Sequence, residues 1–191
     1  MESKASTDDA GTQRRATAAA LLAHHTAAFS TPADAPLIGG AELSELLRGE
    51  ATHVVLIDVR QAEEQALSQL PGAMSKADFE ELCTASQQWR ETKDHVPIVL
   101  VPYCTIGYRS GLYARTLKAR FPDSDVRNSE GVVMWTHDVG KLVRDGALVS
   151  EVHVFGARWD YCAAGFTTAT MGTTGFLRAA FGVVQARCAV Q

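Results

Sequence analysis

Two apolar runs constrain this chain more than anything else in it: 52-THVVLIDV-59 and 97-PIVLVPY-103. Both are rich in β-branched residues, and neither shows the polar alternation of a strand with one wet face. Strands that are apolar on both faces belong to parallel sheets covered by helices on either side. Helix-compatible segments follow where such a sheet needs them, at 76-KADFEELCTASQQWRE-91 and 110-SGLYARTLKARF-121. Alternation of strand and helix predicts an α/β fold with an open, mainly parallel sheet flanked by helices on both faces.

With 191 residues the chain can hold one domain and extra segments at its ends. The alanine-rich stretch from Thr12 to Phe29 predicts a helix with a weak apolar face, ended by the two prolines of 30-STPADAP-36. We read residues 1–36 as a flexible or loosely docked extension, 37–145 as the compact domain and 146–191 as a C-terminal extension. Inside the domain, 41-AELSELLRG-49 is a short amphipathic helix closed by glycine. In the segment 76–91, Phe79, Leu82 and Cys83 share a helical face, which makes Cys83 a core residue. Leu112, Tyr113, Leu117 and Phe121 of the next helix are expected to face the sheet. A third parallel strand is expected at 125-DVRNS-129 and a helical turn at 131-GVVMWTH-137. Beyond them, 147-ALVSEVHVFG-156 alternates like an edge strand or hairpin arm, and 165-GFTTATMGTTG-175 reads as loop.

Charge excludes some partners. Eighteen Lys and Arg against 22 Asp and Glu give a net charge of −4, without the basic face that nucleic acid demands. No run reaches the roughly 18 to 20 apolar residues that span a bilayer. The nearest, 173-TTGFLRAAFGVVQARCAV-190, is interrupted by arginines and glycine and reads as a packing or mobile helix. Four cysteines (Cys83, Cys104, Cys162, Cys188) lie scattered, without CxxC pairs, so neither a disulfide scaffold nor a metal site is expected. A reducing intracellular compartment suits such thiols. Residues 10–33 have a composition compatible with an organelle transit segment, but the acidic opening 1-MESKASTDDA-10 argues against one.

The chemistry is concentrated in 98-IVLVPYCTIGYRSGLYARTL-117. In open α/β sheets ligands collect outside the carboxyl ends of strands, which is where Cys104 falls. A tight loop over Cys104, Thr105, Ile106, Gly107, Tyr108 and Arg109 would let Gly107 take a conformation closed to other residues and turn several amides inward as an anion nest. The helix beginning near Ser110 and the charge of Arg109 both favour thiolate over thiol. The competing reading makes Cys104 an inert strand end and Arg109 a surface charge.

The motif 104-CTIGYRS-110 resembles the CxxGxR-Ser/Thr active-site loop of the rhodanese-like sulfurtransferases. Around it, 54-VVLIDVR-60 is similar to that family's early strand ending in Asp-Val-Arg, and Glu64 stands where an acidic residue usually follows. The stretch 70-LPGAM-74 resembles its Ile-Pro-Gly-Ala turn, and 130-EGVVMW-135 its glycine-to-tryptophan segment. The resemblance covers roughly residues 37–143. Three features depart from the family pattern. Ser68 and Gln69 replace a common Gly-His, the glycine-to-tryptophan segment has one glycine rather than two, and Thr105 stands where a second basic or polar donor is frequent.

The resemblance implies sulfur transfer through a Cys104 persulfide, from a small-molecule donor such as thiosulfate to cyanide, a small thiol or a protein thiol, with no metal or organic cofactor. It implies that Arg109 steers the donor, that the loop amides hold the sulfur, and that Asp58, Arg60 and Trp135 support the loop. Alternatives stay open at this point. Related phosphatases and arsenate reductases use five residues between Cys and Arg, whereas four intervene here, giving a ring too small for tetrahedral phosphate. A non-catalytic interaction module of the same fold is the other reading. Cys162 either takes up sulfur from Cys104 by exchange or packs with Trp159 and Phe166.

Overall fold

The computed structural model describes residues 2–27, 35–85 and 96–170, with the side chains of the first helix described over 9–24. Readings that concern 28–34, 86–91, the tail 173–190 and Cys188 lie outside the described residues.

The two apolar runs form β2 (His53–Asp58) and β4 (Ile98–Tyr103), following β1 (Leu37–Ile38) and with β3 (Met74–Ser75) between them. They pair in parallel, with Val55 opposite Leu100 and Leu56 opposite Val101. Strand β3 flanks β2, and β5 (Asp125–Val126) flanks β4, giving the parallel order β3-β2-β4-β5.

Side-chain alternation along these strands divides the core in two. Val55, Ile57 and Leu100 join one cluster with Phe79, Tyr113, Ala114 and Leu117. Phe79 comes from α4 (Lys76–Ala85), and the last three from α5 (Tyr108–Arg120). Leu56, Val99, Val101 and Tyr103 point the other way, into a cluster with Ala18, Leu22, Leu43 and residues 132–135. These belong to α1 (Glu2–Ala27), α2 (Gly40–Arg48) and α6 (Val132–Asp138). Helices therefore cover both faces, as strands apolar throughout require. Full burial of a side chain such as Phe79 or Leu117 contributes roughly 1.5–3 kcal/mol.

Several local details differ from the pattern read in the sequence. Leu82 is 38% exposed and leaves the core face to Phe79 and the half-buried Cys83. Leu112 is half-buried, while Ala114 takes a core position beside Tyr113. The third strand is two short ones: β5 pairs with β4, whereas β6 (Asn128–Ser129) pairs in parallel with β1. Arg127 separates them, its side chain turned out to Asp125 and Glu42.

Helix α1 reaches further toward the N-terminus than the stretch from Thr12, although Ser, Thr, Asp and Gly are frequent among the residues that precede it. Only part of its apolar surface is covered: Ala18 and Leu22 are buried, whereas Ala16, Ala20 and Ala23 are exposed. Arg14 and Arg15 fasten it from either side. Arg14 Nε donates to the Cys162 carbonyl at 2.6 Å, and Arg15 pairs with Asp138 of α6 at 2.9 Å.

After α6 the chain forms the antiparallel hairpin β7 (Leu142–Arg144) and β8 (Ala147–Val149), joined by the two-residue Asp145–Gly146 turn. Strand β9 (Glu151–His153) then pairs in parallel with β10 (Thr167–Ala169). The segment 147–156 thus supplies both a hairpin arm and a further strand. Part of the stretch read as a Gly/Thr-rich loop is strand β10, because its partner is 16 residues upstream (Thr167 opposite Glu151). No helix among the described residues is long and apolar enough to cross a membrane.

Candidate active site

From β2 the chain crosses to one side of the sheet to make β3, and from β4 it crosses to the other side to make β5. Loops that leave in opposite directions open a crevice at the carboxyl ends of β2 and β4, the usual ligand position in such sheets. Asp58 ends β2 at this crevice, and Cys104 directly follows β4.

The loop after β4 is shaped by groups outside it. The Val132 and Val133 amides of α6 donate to the Cys104 and Thr105 carbonyls at 2.8 and 3.1 Å, and Asn128 Nδ2 donates to the Gly107 carbonyl at 2.9 Å. The peptide bonds are trans, so each unit points its N–H opposite to its C=O. The amides of Thr105, Ile106 and Tyr108 consequently turn away from α6 and Asn128. The next bond, from the Gly111 amide to the Gly107 carbonyl, is the first i→i−4 bond of α5, which leaves the preceding amides without an intrahelical acceptor.

Two glycines make this path available. Gly107 caps α5 in the left-handed conformation at φ 82°, where a side chain is strained. Gly131, at φ 100°, lies against the loop backbone, and a Cβ there would sit 2.6 Å from the Thr105 carbonyl oxygen.

Cys104 is 1% exposed, and Ser110 Oγ donates to its Sγ at 3.5 Å. Arg109 approaches from the start of α5, but its fork is engaged. Nη1 donates to Glu64 Oε2 at 2.6 Å, and Nη2 donates to Glu64 Oε1 at 2.8 Å and to Thr105 Oγ1 at 3.1 Å. Thr105 in turn donates to Glu64 Oε1 at 3.2 Å. Glu64 lies on α3 (Ala62–Leu67), and its Oε2 also accepts the Gln61 amide at the start of that helix. Burial pushes the Glu64 carboxyl up, but the bonds and charge of Arg109 outweigh it, so the net shift is downward. The Arg109 guanidinium is pulled down by burial and held up more strongly by Glu64.

A second fork backs the first. Arg60 clasps Asp58 through Nε and Nη2, at 3.0 and 2.7 Å, and its Nη2 also donates to the Ser68 carbonyl at 2.6 Å. Tyr103 donates to Asp58 Oδ2 and accepts the Leu70 amide. Burial is the largest cause that raises the Tyr103 hydroxyl well above its usual value, followed by the Asp58 charge. This cluster ties the ends of β2 and β4 to the turn at Ser68–Leu70.

The remaining sequence candidates occupy distinct places. Ile106 is half-buried and packs on the core that contains Ala18 and Leu22, and Leu22 also stands beside Gly107. Tyr108 is half-exposed. Trp135 is buried in the same core and its Nε1 donates to the Lys141 carbonyl at 2.7 Å, a packing and anchoring position. Cys162 is buried in the core cluster that also holds Trp159, and Phe166 packs against that cluster. Burial pushes its thiol up to about 12, against a smaller opposing pull from Thr136.

Two residues around this loop carry no motif of their own. Phe155 lies under the Arg109 guanidinium, 4.8 Å from ring centroid to Cζ, and His153 Nδ1 stands 3.9 Å from Glu64 Oε1. Both come from the segment read as a C-terminal extension. The available signal was the alternation of 151-EVHVF-155, with Val152 and Val154 in the core; His153 is buried as well, and Phe155 is half-buried against the same core.

No family model and no curated protein matches this chain. Among solved structures, the thiosulfate sulfurtransferase of Pseudomonas aeruginosa is similar over 59% of this chain, at 22% identity and a TM-score of 0.46. The chain spans 21% of that protein's length. A protein from Bacillus halodurans is similar over 58% of this chain and 77% of its own, at 21% identity and a TM-score of 0.40.

Proposed function

We propose that the chain is a sulfurtransferase that moves sulfane sulfur from a thiosulfate-like donor to cyanide or a thiol through a persulfide on Cys104. The observation that carries this reading is the orientation of the loop after Cys104. Three of its carbonyls are held by donors behind it, so the corresponding amides turn to the other side, where they suit an anionic sulfur. Preorganised amides of this kind stabilise charge as it develops.

In the first half-reaction the Cys104 thiolate attacks the outer sulfur of thiosulfate. The new S–S bond forms as the donor S–S bond breaks, its electron pair leaving with sulfite. In the second, cyanide or a thiolate attacks the outer sulfur of the persulfide, the Cys104 thiolate leaves, and thiocyanate or a new persulfide departs. Charge is conserved in both steps, and no outside oxidant enters. The covalent intermediate implies ping-pong kinetics. Ser110, donating to Sγ, would steady the sulfur in each state. Four residues separate Cys104 from Arg109, which favours a ring sized for one sulfur over one sized for phosphate.

The near-complete burial of Cys104 favours a second reading, an interaction module that performs no transfer. A thiosulfate:cyanide assay on wild type and Cys104→Ser separates the two. Thiocyanate formation and a mass gain of one sulfur in wild type alone are expected. Equal signals from both proteins rule out catalysis by Cys104.

A further inference from the structure

The buried charges around the loop cancel. Asp58 with Arg60 and Glu64 with Arg109 make two pairs whose side chains are 0% exposed, except for 11% at Arg109. Each guanidinium already faces a carboxylate, so a dianion entering here meets no uncompensated formal charge from either pair. Besides Tyr103, whose hydroxyl is bonded to Asp58, His153 reaches this set. The His153 side chain is 9% exposed, and its Nδ1 has no hydrogen-bond partner and faces Glu64 Oε1 at 3.9 Å. That is too long for a hydrogen bond and short enough for a charged one to form after a small rotation. The oxygen it faces is the one shared by Arg109 Nη2 and Thr105 Oγ1.

We infer that His153 is a specificity-determining positioning residue: protonated, it competes for Glu64 and leaves Arg109 with net positive charge for a dianionic sulfur donor. When neutral it leaves the two pairs balanced, and the site then treats a singly charged donor relatively better. The inference rests on the sulfurtransferase reading and assigns that site a donor preference controlled by one side chain.

Every charged group facing the imidazole bears on its titration. Burial pulls it below the ordinary histidine value; Glu64 and Glu63 of α3 oppose this, and Arg60 and Arg109 reinforce it. His153 is therefore neutral at neutral pH, and the change in preference falls on the acid side of the usual imidazole range. Phe155, two positions along and stacked on Arg109, keeps β9 close to the guanidinium whose charge is being released.

The test compares thiosulfate, a dianion, with benzenethiosulfonate, a monoanion that delivers sulfur by the same displacement and leaves as sulfinate. Neither donor titrates near neutrality, and ionisation of Cys104 enters both rates, so it cancels in the ratio of their kcat/KM values. In wild type the thiosulfate:benzenethiosulfonate ratio should rise about fivefold as pH falls through the His153 midpoint, as one added charge does at about 8 Å in a dielectric of about 40. In His153→Gln the ratio should stay flat. Should that variant not fold, NMR titration of His153 in wild type replaces it, and its midpoint must coincide with that of the ratio.

A flat wild-type ratio overturns the inference, as does an unchanged slope in His153→Gln or a His153 midpoint that falls elsewhere. Those outcomes leave the transferase reading intact. Absence of sulfur on Cys104 after exposure to either donor overturns the transferase reading, and this inference with it.

Discussion

Replacing Glu64 with glutamine removes one charge from a nearly dry ion pair while keeping the side chain's volume. Glu64 is fully buried, and its partner Arg109 is 11% exposed. Stranding one member of a buried pair costs about 3–5 kcal/mol. Glutamine still offers one carbonyl to the guanidinium, and Thr105 remains beside it, so the low end, about 3 kcal/mol, is the expected loss. With a urea dependence of about 2 kcal/mol per molar, the unfolding midpoint at neutral pH should fall by about 1.5 M, read by far-UV circular dichroism. The pH dependence supplies a second reading. The Glu64 carboxyl is held below its unfolded value, so its contribution is complete above the ordinary carboxylate range and fades as pH falls through the depressed value. The gap between wild type and Glu64→Gln should accordingly narrow in acid. A midpoint shift below about 0.3 M at neutral pH, or a gap that persists unchanged to about pH 3, would refute the assignment of this pair as a principal electrostatic support of the loop.

Other consequences can be measured on the same scale. Gly131→Ala places a methyl 2.6 Å from the Thr105 carbonyl at a backbone angle of φ 100°, so the loop or α6 must move. A loss of about 2–4 kcal/mol in denaturation, with a larger fall in the proposed sulfur transfer than in secondary structure, is expected. Stability equal to wild type would show that the contact is soft. The half-buried Cys83 should react with iodoacetamide in the native state well before Cys162, whose thiol is buried and pushed up to about 12. Peptide mass spectrometry reads the order, and equal labelling would remove the structural role given to Cys162.

The parts of the fold that are legible in the sequence are those decided by local chemistry. Strands β2 and β4 announce themselves because a segment buried on both faces can hardly contain polar residues, and their alternate side chains supply two different cores. Cys104, Gly107 and Arg109 are conspicuous because a thiol at a strand end, a glycine and a cation at a helix start each have a local chemical reading, and Gly107 takes the left-handed conformation. What escapes notice depends on distant pairing. Strand β10 is short and Gly/Thr-flanked, and only its alignment on β9 makes it a strand. His153 and Phe155 read as ordinary members of an alternating segment until β9 and α3 are brought together. The docking of α1 is similar: Ala18 and Leu22 are too few to form an amphipathic stripe, yet both are buried. The engagement of Arg109 by Glu64 likewise needs the crossing from α3 to α5 across 45 positions in the chain.

The two forks place a constraint on sequence drift. A carboxylate lost at position 64 leaves the cation at 109 stranded, and a cation lost at 60 does the same to the anion at 58. Each change alone passes through a costly intermediate, so these sites should vary as couples or hold still. Descendants of this chain that lose the thiol at position 104 would then be expected to keep both couples, because a lone charge in the dry interior is penalised whatever stands there.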